Sequence, residues 1–413
     1  MGLAPDGGLF VPERLPKIEA LETLAEAGFP SVAMRVLASF VDGDEMSGSL
    51  PEMVEEAFNF PLSLEPVADS EAQLLALYRG PTSAFKDFGA RFLAACLERL
   101  ARQRGRQLTI LVATSGDTGG AVAAAIHKRP GLQALVLYPD GKVSARQASQ
   151  LCAFGGNVVT YRVQGDFDDC QRIIKRAFQN PGLCARYHLC SANSINIGRL
   201  LPQAAYHFWA SLQVARDSAG KVNFVIPTGN LGNAVACMVA RAMGAPIGRI
   251  VMACNANRSV VDYFDSGAFC PRASIATVAN AMDVGNPSNM ERLLHFFPGL
   301  QDDYGLNAVS FSDAEIRSAI RDAAGNHDCV LCPHTATAWL AYQRLDGICK
   351  RRPWVLAATA HPAKFESIVE PAIGRPVPLP ENLARMLSHT HSAEALAPDD
   401  GALREVLEVH FGE

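Results

Sequence analysis

Between residues 74 and 359 the chain alternates short, apolar, β-branched runs with longer stretches of helical periodicity, and this alternation constrains the fold more tightly than any other feature. The runs 74–78, 108–113, 134–138, 158–162, 222–227, 250–254 and 354–359 predict strands. Strands separated by helices form βαβ units. These build a largely parallel sheet, covered on both faces, that takes its ligands at the carboxyl ends of its strands. Two sets of units are visible, at 107–200 and 201–375, and a chain of 413 residues is too long for one ordinary core. The expected fold class is therefore α/β, with two parallel-sheet α/β domains, a cleft between them and a small helical N-terminal unit. The expected division places the N-terminal unit at 1–74, a large domain at 75–106 and 201–375, a smaller mobile domain at 107–200, and a tail at 376–413. The N-terminal unit opens with the turn-rich Asp6-Gly7-Gly8-Leu9-Phe10 and continues with apolar positions at helical spacing. Pro376, Pro378 and Pro380 suggest that the tail wraps the surface.

Composition excludes several classes of function. A net charge of -5 and a pI near 6.1 give no reason to expect nucleic acid or an anionic membrane as partner. Apolar runs are broken by Arg, Gly or Pro well short of a membrane span, and the first residues lack the pattern of a signal peptide. A cytoplasmic protein is expected. The eleven cysteines are scattered and odd in number, which suits buried thiols in a reducing compartment. Cys329-Val330-Leu331-Cys332 lies in an apolar, strand-like run without a second pair, so it reads as core, and no metal is expected.

Chemistry concentrates in three stretches. The first is Gly80-Pro81-Thr82-Ser83-Ala84-Phe85-Lys86-Asp87-Phe88, where a turn hands over to a helix. Only eight lysines occur against twenty-nine arginines, and Lys86 is flanked by Phe85 and Phe88. Apolar surroundings disfavour the ammonium form and lower the pKa, as a Schiff-base or general-base amine requires. The alternative is a lysine on the open helix face, paired with Asp87. The second stretch, Ala113-Thr114-Ser115-Gly116-Asp117-Thr118-Gly119, runs from a strand end into a helix start. The third, Pro227-Thr228-Gly229-Asn230-Leu231-Gly232-Asn233, repeats that arrangement. Hydroxyls, glycines and free N–H groups at a helix N-terminus suit a carboxylate or phosphate, although glycine-rich turns also serve close packing alone. Two anion cradles and one apolar-flanked lysine fit pyridoxal 5'-phosphate with an amino-acid substrate. No nucleotide-binding glycine signature is present.

These stretches resemble those of the threonine synthase family, pyridoxal-phosphate enzymes of the tryptophan-synthase-β structural type (fold type II). Further matches are Tyr138-Pro139-Asp140-Gly141-Lys142, Gly165-Asp166-Phe167-Asp168-Asp169, Asn193-Ser194-Ile195-Asn196 with Arg199, Ala281-Met282-Asp283-Val284 and Thr359-Ala360-His361-Pro362-Ala363-Lys364. The resemblance implies conversion of O-phosphohomoserine and water to L-threonine and phosphate, with the cofactor in the large domain and a monomer or homodimer as the assembly. It implies that Lys86 carries the cofactor as a Schiff base and that Gly229, Asn230, Leu231, Gly232 and Asn233 wrap the cofactor phosphate. Asp117 would lie near the cofactor's phenolic oxygen and Thr359 would face its pyridine nitrogen. Ser115, Gly116 and Thr118 would hold the substrate carboxylate. Thr82, Ser83, Asn193, Ser194 and Arg199 would hold the substrate phosphate.

Alternatives remain for particular residues and for the whole. His361 and Lys364 could be acid–base groups, but His361-Pro362 reads better as the end of a strand. Asp166, Asp168 and Asp169 answer a helix dipole without a metal. The family usually carries a further segment before the match to Gly2-Leu3-Ala4-Pro5, so an early strand is expected to be missing. Leu231 replaces a commoner phenylalanine. The rival activities are a phospho-lyase that releases 2-oxobutyrate and ammonia, a non-catalytic relative, and a nucleotide-binding α/β protein.

Overall fold

Among the described residues, eleven strands form two sheets, and residues at their carboxyl ends line one cavity. The structure is a computed structural model that describes residues 4, 6–114, 116–217, 220–298, 305–388 and 392–412. Its strands are β1 (Ser63–Pro66), β2 (Ala72–Ala76), β3 (Leu108–Ala113), β4 (Leu132–Pro139), β5 (Val158–Val163), β6 (Leu189–Ser191), β7 (Val222–Pro227), β8 (Ile247–Cys254), β9 (Leu306–Ser310), β10 (Trp354–Ala358) and β11 (Glu394–Leu396). The six-stranded sheet has the order β1-β2-β10-β7-β8-β9 and is parallel except for the β1–β2 pair. The five-stranded sheet, β11-β5-β4-β3-β6, is parallel throughout. Every residue of β4, β7 and β10 is buried, as central strands covered by helices on both faces require.

The helices that build the site are α1 (Phe29–Val41), α2 (Leu50–Ala57), α3 (Lys86–Arg104), α4 (Asp117–Ile126), α5 (Ala145–Leu151), α6 (Phe167–Phe178), α7 (Ile197–Asp217), α8 (Gly232–Ala242), α9 (Pro333–Gln343) and α10 (Asp400–Phe411). Phe29 of α1 and Tyr206 of α7 meet Phe88 of α3 edge to face, with centroids 5.6 and 5.1 Å apart. Burial of a phenylalanine at this depth contributes roughly 1.5–3 kcal/mol and fixes the roll of α3 about its axis. The apolar flank of Lys86 is thereby a packing anchor as well as an electrostatic one. Gly89 brings α3 and α7 together, since a Cβ there would lie 2.5 Å from the Arg199 carbonyl oxygen.

Four strands differ from expectation. The N-terminal segment, expected to be helical to residue 74, enters the sheet earlier through β1, which pairs antiparallel with β2. β6 has three residues, too few to show a period, and β9 is half-buried at every position. The tail does more than wrap the surface: β11 pairs with β5, and Leu403, Val406 and Leu407 of α10 pack with Ile173 and Ala177 of α6. The 329–332 run is not a strand; Cys332 caps α9, its Sγ accepting from the Thr335 N–H. Among the described residues no cluster of potential metal ligands is found and no helix is long and apolar enough to cross a membrane.

Candidate active site

The cavity measures about 700 Å³ and is walled by residues at the ends of β3, β6, β7 and β10. Lys86 opens α3 at its edge, and the loop before it is stitched to the end of β10. Phe85 N–H donates to the Thr359 carbonyl (2.8 Å) and His361 N–H to the Ser83 carbonyl (3.0 Å). The buried Asp87 carboxylate closes the turn by accepting from the Thr82 N–H (2.9 Å) and Oγ1 (2.7 Å). Ser83, with a left-handed φ of 56°, accepts from Asn382 Nδ2 at 3.2 Å. The hydroxyls of Thr82 and Ser83 are thus engaged in shaping the lysine loop, and neither residue is among those that line the cavity.

Lys86 lines the cavity and has no hydrogen-bond or ion-pair partner among the described residues; its Nζ lies 5.2 Å from the Phe85 ring centroid. Burial lowers its pKa to about 8, with Lys364 and Arg199 pushing the same way and Asp117 opposing. An amine in this state is neutral in a useful fraction near neutral pH, which an ordinary lysine is not.

The loop 229–233 approaches the cavity through its backbone. A Cβ on Gly229 would sit 2.6 Å from Met282 Cα, so only glycine lets the two segments close. Leu231 takes a left-handed φ of 62° at the N-cap of α8 and offers no side-chain cap, which leaves the first N–H groups of α8 free for an anion. Asn230 braces the loop: its Nδ2 donates to Ser194 Oγ and its Oδ1 accepts from the Ser288 N–H at 2.6 Å. Two buried polar atoms on the cavity wall, Thr359 Oγ1 and Asn233 Nδ2, have no partner among the described residues. Buried groups are nearly always paired, so both point to a bound molecule. A free amine, a helix N-terminus with bare N–H groups and an unpaired hydroxyl are the donor set that pyridoxal phosphate needs, and the residues fit it.

The start of α4 holds a second buried charge system. Asp117 Oδ1 accepts from Lys364 Nζ (2.9 Å) and Gln147 Nε2 (3.0 Å), and Lys364 also donates to the Thr82 carbonyl (2.8 Å). Burial pushes the Asp117 pKa up, but Lys364, Lys86 and the hydrogen bonds together hold it well below the usual carboxylate range. The Lys364 side chain therefore serves as partner to Asp117 and joins the loop after β10 to a helix of the other sheet. Thr118 lines the cavity, Gly116 lies against the Gln147 side chain, and Ser115 lies outside the described residues. His361 accepts from the Ala363 N–H at 3.2 Å and so caps the turn.

Asn193, Ser194 and Arg199 come together on the cavity wall. Arg199 is 2% exposed, has no carboxylate partner among the described residues, and keeps its Nε unpaired. Burial lowers its pKa to about 10, with Asp87 and Tyr206 opposing, so it stays charged at neutral pH. Its Nη1 donates to the Ala192 carbonyl, and a buried guanidinium without a directly paired carboxylate is costly unless an anion joins it. Asn193 Oδ1 is likewise unpaired, while its Nδ2 donates to the Ala113 carbonyl at 3.1 Å.

Three features escaped sequence reasoning. Arg292, fully buried, donates to the carbonyls of Phe10, Ser194 and Ile195 and to Asn289 Oδ1, tying the N-terminal segment to the 193–196 loop. Its helical context carries no local signal for this. His334 lines the cavity, and its Nε2 accepts from the Ala281 N–H (3.1 Å); burial lowers its pKa to about 4, so it is neutral. The Asp283 carboxylate gathers Asn255 (2.7 Å) and Thr277 (2.7 Å) beneath the 281–285 segment. Lysine scarcity, which singled out Lys86, applied equally to Lys364.

Comparison with known proteins agrees with this geometry. A family model described as pyridoxal-phosphate dependent enzyme matches residues 74–359. Models for the threonine synthase N terminus and C-terminal region match 1–58 and 335–407. The threonine synthase of Haemophilus influenzae is 40% identical over 386 residues, covering 92% of this chain and 89% of the relative. That of Escherichia coli K12 is 36% identical, covering 99% and 95%. The crystal structure of the Escherichia coli threonine synthase superposes with a TM-score of 0.91 at 35% identity, covering 99% of this chain and 95% of that one. The pyridoxal-phosphate-bound structure from Brucella melitensis gives 0.90 at 32%, with the same coverage. Maize serine racemase, at 15% identity and a TM-score of 0.55, shares the fold alone.

Proposed function

Because the chain belongs to the threonine synthase family of pyridoxal-phosphate-dependent enzymes, we propose that its cavity converts O-phosphohomoserine and water to L-threonine and phosphate, as a carbon–oxygen lyase acting on a phosphate ester. The observation that carries this reading is the joint wall of the cavity. An amine with a depressed pKa, Lys86, shares it with two separate anion sites, and one of these holds the Arg199 guanidinium, whose Nη1 donates to the Ala192 carbonyl while its Nε stays unpaired among the described residues.

When bound, pyridoxal phosphate supplies an aldehyde for the substrate amine and a ring that withdraws electrons from the α-carbon. The N–H groups of 229–233 would hold its phosphate, with Asn233 Nδ2 as an added donor. Thr359 Oγ1, buried on the cavity wall and unpaired among the described residues, would serve the ring as a neutral partner and make it a more moderate electron sink than a carboxylate partner would. Thr118 and the N-terminus of α4 would hold the substrate carboxylate. Lys86 Nζ would take the proton from the α-carbon of the substrate and later return one there. Arg199, with Asn193 and Ser194, binds the γ-phosphate and stabilises its charge as the C–O bond breaks. A second proton leaves the β-carbon as the bond between the γ-carbon and the ester oxygen breaks and its electron pair departs with the phosphate. The γ-carbon then takes up a proton, and a water molecule adds its oxygen to the β-carbon and gives up one proton. Asp117, kept ionised by Lys364, adds negative charge beside Lys86 and opposes the depression of its pKa. Thr82 and Ser83 act by shaping the lysine loop. The eleven free cysteines support residence in a reducing cytoplasm.

The test is a product assay on O-phosphohomoserine with purified holoenzyme. Threonine and phosphate in equal amounts are expected, and 2-oxobutyrate with ammonia would reveal elimination without hydration. Borohydride should fix a pyridoxyl label on Lys86, and Lys86→Ala should lose label and turnover together. A label on Lys142 or Lys364 would refute the assignment.

A further inference from the structure

Arg199, Gln203, Tyr206 and His207 lie at i, i+4, i+7 and i+8 on α7, a spacing that sets them on one helix face. All four are buried. From this face Tyr206 OH and His207 Nε2 each reach Asn233 Oδ1 at 2.7 Å. We propose that Tyr206 and His207 are positioning residues for the cofactor site: by both donating to the Asn233 carbonyl oxygen, they turn the Asn233 amide so that its Nδ2 donates into the phosphate cradle. This rests on the reading that 229–233 hold the cofactor phosphate.

Donor and acceptor chemistry decides the orientation. An amide oxygen only accepts, and two donors fill its two lone pairs, so the His207 proton must sit on Nε2. Tyr206 has one proton and a more distant acceptor in Gln203 Oε1 at 3.3 Å; the 2.7 Å contact takes it. Asn233 Nδ2 is then left without a partner among the described residues, on a residue that is 5% exposed and lines the cavity. The flipped amide would present its oxygen to a phosphate dianion. It would also force the His207 proton onto Nδ1, a buried atom with no acceptor, and buried orphan N–H groups are rare. Burial lowers the His207 pKa to about 4, so the imidazole is neutral and keeps this arrangement over the working range. Gln203 Nε2 donates to the Arg199 carbonyl at 2.8 Å, so the same helix face buttresses both anion sites.

The experiment has two arms. In the unmutated holoenzyme, ¹⁵N NMR of labelled histidine should show an imidazole protonated on Nε2 that does not titrate between about pH 5.5 and 9 and that is assigned to His207 by its disappearance in His207→Phe. In the variants, His207→Phe and Tyr206→Phe should each speed pyridoxal phosphate release about tenfold. His207→Gln, whose amide nitrogen can replace Nε2, should stay near the unmutated rate, and the ³¹P resonance of the bound cofactor should shift only in the Phe variants. In an Asn233→Ala background, His207→Phe should add nothing, which separates positioning from general loosening of the core. An Asn233→Ala protein that retains cofactor normally would overturn the cradle reading and the proposal with it. Rapid release from Asn233→Ala with unmutated release from His207→Phe, or a proton on Nδ1, would overturn the pairing alone.

Discussion

Replacing Lys364 by methionine removes the ammonium and leaves Asp117 ionised in a buried site with one remaining hydrogen bond, from Gln147. The pair is 2.9 Å apart, and its side chains are 1% and 4% exposed, so solvent cannot take over the lost charge. Breaking a buried pair from one side destabilises by about 3–5 kcal/mol. The lower end is expected because Lys86 still faces Asp117 and because the Thr82 carbonyl, which loses Lys364, keeps a donor in Gln150 Nε2 at 3.3 Å. Asp117→Asn in the Lys364→Met background should recover about 2 kcal/mol by removing the stranded charge. The pH dependence has a definite sign. In the unmutated protein the Asp117 pKa is depressed, so its contribution is complete above the ordinary value of 3.8 and is lost as pH falls through the lower folded value. In Lys364→Met, burial loses its main opponent and the folded pKa rises above 3.8. The folded chain then binds the extra proton, and the deficit shrinks as pH falls from about 7 towards 5. Urea unfolding followed by tryptophan fluorescence on the four-member cycle, at both pH values, measures all of this. A loss below about 1 kcal/mol, an equal loss in the Asp117→Asn background, or a deficit that grows on acidification would refute the reasoning.

Arg199→Ala should lower kcat/KM on O-phosphohomoserine by roughly 30- to 1,000-fold, with cofactor retained and side reactions of unphosphorylated amino acids little changed. Equal losses on both substrate kinds would assign Arg199 to the fold. For Lys86, with a pKa of about 8 against an ordinary 10.5, cofactor capture by the apoprotein should rise about tenfold per pH unit and level off above the lower value. Between about pH 8 and 10.5 the unfolded chain binds more protons than the folded one, so apoprotein stability should rise with pH across that range; a capture midpoint near 10.5 would contradict both statements. Arg292→Lys cannot reproduce a planar fork to three carbonyls, so it should raise KM for the phosphorylated substrate several-fold and destabilise by about 2 kcal/mol. Unchanged KM and melting temperature would show that the 193–196 loop needs no such tie.

The central strands were legible because their signal is local. β3 and β7 match expectation to the residue, and β4, β5, β8 and β10 differ by a few at their ends, since buried parallel strands read as continuous apolar runs. Lys86 was legible for a related reason: a scarce residue type between two aromatic neighbours is an anomaly that the sequence displays unaided. β1, β6, β9 and β11 were not, because short edge strands owe their conformation to a partner strand rather than to their own pattern. The hydroxyls of Thr82 and Ser83 looked like anion donors beside the lysine, and only the stitching of their loop to β10 turned them towards Asp87 and Asn382. The same holds for the ion pair of Asp117 with Lys364, the bare Nε of Arg199 and the direction of the Asn233 amide. Residue type and spacing announce which groups can bind charge. Desolvation and pairing act over a few ångströms between segments far apart in the chain, so which of those groups remain free to bind it was decided only when the two sheets closed on one cavity.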